Sequence, residues 1–298
     1  FLIDGTDVND NLFGTADPLF IEDAIDQTQV LTSGISAEYG RFSGGVVNVV
    51  SRWGGNMFSG SFRETWTNST WSGHTPFEEA NNAPRTNKLN KIHEATFGGP
   101  FVRNRLWFFT AGRFRQTEND RTLPQTAIPY VLHTQSIRGQ VKLTATVATS
   151  HAFSGQYLGS RVRSREPAFG FTIDPAAIMS PEYPNSQFVV NYRGTVGSNA
   201  FAEVQYSTKQ SGFRNAGGTS ADIFESPIIN PNPLAAYNAP YFDASDPEDR
   251  DNHQVTGSLS YLFSRWGRHD LKGGTEFFKT TNRGGNSQTS TGFVFDAE

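Results

Sequence analysis

The 298-residue sequence contains no cysteine, which excludes disulfides and thiolate metal sites. Histidine is sparse, six in all and scattered, so little is available to build a transition-metal centre, and no cofactor is expected. No run of about 18 apolar residues occurs, which excludes a transmembrane helix. Basic excess is absent too: the formal net charge is −4, so no footprint for nucleic acid is present. Hydrophobic residues make up only 36% of the chain although aromatics reach 13%, a balance unlike the aliphatic core of a soluble enzyme. The chain opens FLIDGTDVND, with no basic leader and no initiator Met, and stops at TGFVFDAE within a strand-like pattern. Both ends read as cut edges, and the chain is expected to be part of a longer protein.

What is present is period-2 alternation, recurring from about residue 59 onward. Ile137, Gly139, Val141, Leu143, Ala145 and Val147 share one face of a strand whose other face is Arg138, Gln140, Lys142, Thr144 and Thr146. Phe188 to Val196, Ala202 to Tyr206 and Val255 to Phe263 repeat the pattern. The strands are expected to run about 9 to 12 residues, the length that crosses a bilayer when tilted. Short turns are expected near 102–104, 149–151, 197–199 and 264–269, and long loops at 68–90, 117–135, 161–186, 210–252 and 281–291. Loops sorted by length onto two sides are the mark of an outer-membrane barrel. Hydrocarbon offers no hydrogen bonds, so a spanning sheet turns its apolar face outward and keeps its polar face for the lumen. Arg138, Lys142, Arg193 and Glu203 are therefore expected inside. An antiparallel sheet with one solvated face predicts the same alternation but gives no reason for the sorted loops.

Residues 1–57 do not follow the long-strand pattern. Phe1 to Gly5 reads as a strand end and turn, and Glu22 to Leu31 as a strand, or a short helix followed by one. The apolar run Val46-Val47-Asn48-Val49-Val50 is bracketed by Gly44-Gly45 and Gly54-Gly55, and a continuous apolar strand of this kind is expected to be buried on both faces. The four glycines mark flexible joints or close backbone approach. The expected division is a small packed domain over 1–57, a short linker at Trp53 to Phe58, and a barrel segment over 58–298.

FLIDG, followed by QVLTSGISAEYGRFSGGVVNVVSRWGGNMFSGSF, resembles the carboxy-terminal half of the plug of TonB-dependent outer-membrane transporters. GGPFVRNRLWFFTAGRFRQ resembles the second and third barrel strands of the Oar-like branch of that family. The likeness lies in residues 1–62 and 94–116. It implies a mainly β fold: part of a plug, then nine or ten antiparallel strands of a transmembrane barrel of about 22. It further implies an outer-membrane location, and import of an unknown solute into the periplasm through plug rearrangement. Its implied partners are TonB, outer-membrane lipid and a surface lipoprotein, with TonB joined through an added strand that these residues do not include.

On the same resemblance, Glu38 and Arg41 are candidates for charges that pair plug with wall and open a path when ruptured. Ligand contact is expected from long-loop residues Trp71, His74, Phe77 and Arg85, and from Tyr237, Tyr241 and Phe242. Aromatic side chains in these loops suit sugar, peptide or chelator faces alike. The acidic stretch Asp243, Asp246, Glu248, Asp249 and Asp251 offers oxygen ligands for Ca²⁺, although it lacks the EF-hand order. No nucleophile elbow, HExxH or phosphate loop is present, so no enzymatic role is expected. Two alternatives stand beside the transporter: a passive porin or surface-adhesive barrel, and a secreted soluble β-rich glycan-binding module.

Overall fold

The computed structural model describes residues 1–297 apart from 13, 16–18, 37–38, 41–43, 81–86, 243–246 and 286–287, and the side chains of 77 and 78. Among the described residues it is mainly β. Four short strands form the first sheet: β1 (Leu2–Ile3), β2 (Thr6–Asp7), β3 (Ile25–Leu31) and β4 (Val46–Ser51), in the order β2-β1-β4-β3. Asp4 and Gly5 turn β1 into β2 with φ of 47° and 78°, the left-handed pair that suits a two-residue hairpin. β4 runs parallel to β1 and antiparallel to β3, so both its edges are hydrogen-bonded. A 3-10 turn at Glu22–Ala24 leads into β3.

Full burial of β4 on both faces is not found: Val46 and Ser51 are buried and the four residues between are half-buried. Val49 packs on a cluster of Ile3, Val8, Leu19 and Leu158, whereas Val46, Asn48 and Val50 line a large cavity. The apolar run thus reflects pairing at both edges and one dry face.

Nine long strands form the second sheet in simple up-and-down order. They are β5 (Ser59–Thr67), β6 (Asn90–Val102), β7 (Leu106–Thr122), β8 (Pro129–Ala148), β9 (His151–Arg165), β10 (Glu182–Val196) and β11 (Ala200–Phe213), then β14 (Glu248–Ser264) and β15 (Arg268–Gly284). Between β11 and β14 the chain forms β12 (Ile228–Pro231) and β13 (Leu234–Tyr237), which join β16 (Phe295–Asp296) in a small third sheet. A five-residue helix, α1 (Pro76–Ala80), sits in the loop after β5.

The short turns fall where the sequence puts them, at 103–105, 149–150, 197–199 and 265–267. Strand length differs from expectation: β5 has nine residues, but β7, β14 and β15 have 17 and β8 has 20. The expected long loop at 117–135 shrinks to 123–128, because β7 and β8 stay paired as far as Thr122 and Pro129. Past the apolar stretch β7 is polar on both faces, as in Glu118-Asn119-Asp120-Arg121. The hydrophobic period ends there while the backbone ladder continues.

The long sheet is polar inside and apolar outside. Gln140, Lys142, Gln187, Ser207 and Lys209 face the first sheet and are buried, while Ile137, Val141, Leu143, Phe188, Val204 and Leu259 on the other face are exposed. On the inward face Phe109 and Ala111 meet Ile21 and Ala24 at the 3-10 turn, Leu158 meets Ile3 of the first sheet, and Phe213 meets Met179 and Ala216. Near the short turns, Phe58, Phe97, Phe101 and Phe108 stack on the outward face, with Phe101 and Phe108 centroids 4.6 Å apart. Such an aromatic band fits a membrane interface.

Candidate functional site

The site is the seam between the small sheet and the inward face of the long one. It is held mostly by charge and hydrogen bonds, because the strand period that turns apolar side chains outward turns polar ones toward the plug-like sheet. In the middle of the wall Lys142 Nζ lies 3.3 Å from Asp4 Oδ1 and donates to Ser51 Oγ at 2.9 Å and to the Ser51 carbonyl at 3.2 Å. Ser51 N donates to Asp4 Oδ1 at 3.1 Å. Lys142 and Asp4 keep only 9% and 15% of their side-chain exposure, so this pair is far less screened than a surface one. Arg138 on the same strand donates to the Phe20 carbonyl.

Toward the long loops, Arg250 Nη1 donates to Asp10 Oδ2 at 2.7 Å while its Nε binds Glu248. Lys209, fully buried, donates to the Asn9 carbonyl. At the 3-10 turn, Glu22 binds Arg113 and Asp23 lies 3.2 Å from Arg63. Glu94 of β6, 3% exposed, sits between the two arginines, bonded to Arg63 and 3.6 Å from Arg113. Burial works against the charged form of Glu22. The hydrogen bond and charge of Arg113, with the turn's own backbone, outweigh it and hold its carboxyl below the ordinary value.

Between the sheets lies a cavity of about 1290 Å³. Asp4, Asp7 and Asp10 line it from one side and Lys142, Arg193 and Glu203 from the other. Arg193 Nε donates to Glu203 Oε1 at 2.7 Å, so Arg138, Lys142, Arg193 and Glu203 all face inward as their strand positions predict.

Glu38 and Arg41 lie outside the described residues. The seam charges found instead are Asp4, Asp10, Glu22 and Asp23, each on an inward-facing cation. Sequence reasoning passed over them because acids in FLIDG and IEDAI also suit a solvated turn. Each lies against an inward-facing cation of the long strands: Arg63, Arg113, Lys142 or Arg250.

The glycines divide. Gly44 adopts φ of 84°, a conformation that penalises any side chain, and a Cβ on Gly45 would come within 3.0 Å of the Leu31 carbonyl oxygen. Gly54 crosses the wall so closely that a Cβ would come within 2.2 Å of the Phe108 carbonyl oxygen. Gly55 faces open space. The linker is also pinned by Asn56, whose Oδ1 accepts from Asn104 N at 2.9 Å and Trp107 Nε1 at 2.8 Å.

Trp71 and His74 are exposed on the first long loop, while Arg85 and the side chain of Phe77 lie outside the described residues. Tyr237 is half-buried on β13. Tyr241 packs on Phe169 at 5.7 Å, and Phe242 meets Phe213 edge-on at 5.2 Å beside Met179 and Ala216. Of the acidic stretch, Asp243 and Asp246 lie outside the described residues. Glu248 binds Arg250, Asp249 binds Arg214, and the Asp251 carbonyl accepts from Asn11 at 3.2 Å.

No family model matches the chain. Over 130 residues it is 38% identical to the TonB-dependent transporter Oar of Myxococcus xanthus, a match covering 41% of this chain and 12% of that protein. Among solved structures, the outer-membrane transporter YddB of Escherichia coli aligns with 94% of the chain at a TM-score of 0.67 and 14% identity. The siderophore receptor PirA of Acinetobacter baumannii aligns with 94% at 0.64 and 14% identity. The ferric enterobactin receptor PfeA of Pseudomonas aeruginosa aligns with 97% at 0.60 and 13% identity. The chain spans about 40% of the length of these three structures. Over the part it spans, the chain has the fold of these outer-membrane transporters and receptors, a small sheet set against a wall of long antiparallel strands.

Proposed function

We propose that the chain is the plug-and-wall segment of a transporter that binds a solute at the outer face and admits it to the periplasm when TonB rearranges the plug. The observation that carries this reading is the make-up of the seam. A stopper held by a dry apolar core would be costly to shift, because moving it would expose that surface at roughly 25 cal/mol per Å². Here four acidic residues of the plug rest on cations of the wall beside a cavity of about 1290 Å³. Water can replace such contacts one at a time, so no single step has to expose a large apolar surface. In the same reading Trp71, His74, Tyr237, Tyr241 and Phe242 belong to the solute-facing side, and Gly54 and Gly55 mark the end of the moving part.

The test uses a single cysteine in the full-length protein, placed at Val46, which is 5% exposed. In cells with functional TonB, a membrane-impermeant maleimide should label Val46→Cys several-fold faster than in cells lacking TonB. Equal labelling in both would contradict TonB-driven movement of the plug.

A further inference from the structure

We propose that Asn56 is a mechanical stop, a positioning residue that ends the displacement of the plug and keeps the wall's first strand paired while TonB pulls; this rests on the reading above that TonB moves the plug. The hydrogen bonds of the chain pass from plug to wall within a few residues. At Arg52 they still lie within the plug: its N donates to the Ala24 carbonyl at 2.8 Å and its Nε to the Ile25 carbonyl at 3.1 Å. Gly54 and Gly55 then follow with no hydrogen bond among the described residues. At Asn56 the partners belong to the wall. Its Oδ1 accepts from Asn104 N at 2.9 Å and Trp107 Nε1 at 2.8 Å, and its Nδ2 donates to Asn104 Oδ1 at 2.6 Å. A carboxamide suits this point because it accepts twice on one atom and donates from the other.

The anchor is stiff. Asn104 sits in the turn with φ of 62°, a conformation that asparagine tolerates. Arg105 N donates to the Val102 carbonyl at 3.1 Å and the Arg105 carbonyl accepts from Thr146 N at 2.7 Å, so the turn ties β6 and β7 to β8. Two residues beyond Asn56, the Phe58 ring covers Gly99, where a Cβ would come within 2.2 Å of it, and stacks on Phe97 at 5.9 Å.

What the stop protects is β5. It is the shortest of the nine long strands, and among the described strands it pairs with β6 alone, starting at Ser59 opposite Gly98. Without Asn56, tension along the linker would load Ser59 and open the ladder pair by pair, each step breaking only one or two hydrogen bonds. With Asn56 in place, tension first meets three bonds on one side chain, which have to break together. Asn56 is exposed, so at rest these bonds trade against water with little net gain, and the resting fold does not depend on them. Water can replace them chemically, but it carries no tension.

The test uses the full-length protein in cells with and without functional TonB and reads the folded fraction by heat-dependent gel mobility. Asn56→Ala should match the native protein in cells lacking TonB and lose folded protein several-fold where TonB works. Trp107→Phe, which removes one of the three bonds, should show the same dependence more weakly. A role in packing alone would lower the folded fraction equally in both kinds of cell. Where Asn56→Ala folds poorly even without TonB, Trp107→Phe decides: a TonB-dependent loss supports the stop, and equal fractions overturn it. Labelling of Val46→Cys in the same cells keeps two failures apart. TonB-dependent labelling without TonB-dependent loss of the variants overturns the stop, whereas labelling that ignores TonB refutes the plug movement on which the stop rests.

Discussion

Lys142 reaches from the middle of β8 into the plug-like sheet and gathers Asp4 and Ser51 around one ammonium. Removing the Asp4 charge leaves a buried cation with only neutral partners, a loss on the order of 1.5–3 kcal/mol for a bond to a charged group. Asp4→Asn in the full-length protein should therefore raise amide hydrogen exchange across β4 by roughly tenfold or more, read by mass spectrometry. Unchanged exchange would mean that the pair does not hold the plug. Glu22 adds a pH dependence whose sign is fixed by its lowered value, set against Arg113, Arg63, Asp23 and Glu94. A carboxyl lowered in the folded state stabilises above its ordinary value of 4.5, and the stabilisation is lost as pH falls through the lower folded value. Exchange at the Glu22–Ala24 turn should rise below about pH 4.5, and Glu22→Gln should flatten that rise. Neither acid stood out in the sequence, because a turn acid looks the same whether solvent or an arginine lies beyond it.

The elements divide into those that sequence could locate and those it could not. β8 and β10 were legible because strict alternation over their apolar halves assigns every residue to a face. Their outer extensions were not, since Pro129-Tyr130-Val131-Leu132 of β8 and Glu182-Tyr183-Pro184 of β10 carry no two-residue period while the ladder runs on to Pro129. Val141→Arg on the outward face should cost about 2–4 kcal/mol of folding free energy in a bilayer, whereas the same change on a water-facing surface is nearly neutral. Reversible unfolding of the full-length protein in lipid would measure it. The Gly54-Gly55 pair reads in sequence as one break, yet the two residues differ. Gly54 presses on the Phe108 carbonyl and Gly55 faces open space. Gly54→Val should reduce the folded fraction sharply, judged by heat-dependent gel mobility, and Gly55→Ala should leave it within about 1 kcal/mol of the native protein.

At the scale of the whole molecule, burial is inverted. Gln187, Ser207 and Lys209 are sealed inside while Phe188, Val204 and Tyr206, their neighbours along the same strands, are uncovered. Such an arrangement is stable where the surroundings are apolar and the interior is wet, and it would be an aggregation liability in water. This inversion was legible from alternation and sorted loops together. The partner of the polar face was less so: family resemblance supplied the plug, and the seam residues that join it to the wall emerged only from the structure. The most direct measurement uses the absence of native cysteine in this segment. Single cysteines at Gln140 and Val141, adjacent on β8, are compared in the full-length protein reconstituted in lipid vesicles. The account predicts that Val141→Cys, spin-labelled, reports high oxygen and low water-soluble relaxant accessibility, while Gln140→Cys reports little of either because the plug covers it. Equal exposure of Val141→Cys to the water-soluble relaxant would contradict a lipid-facing wall.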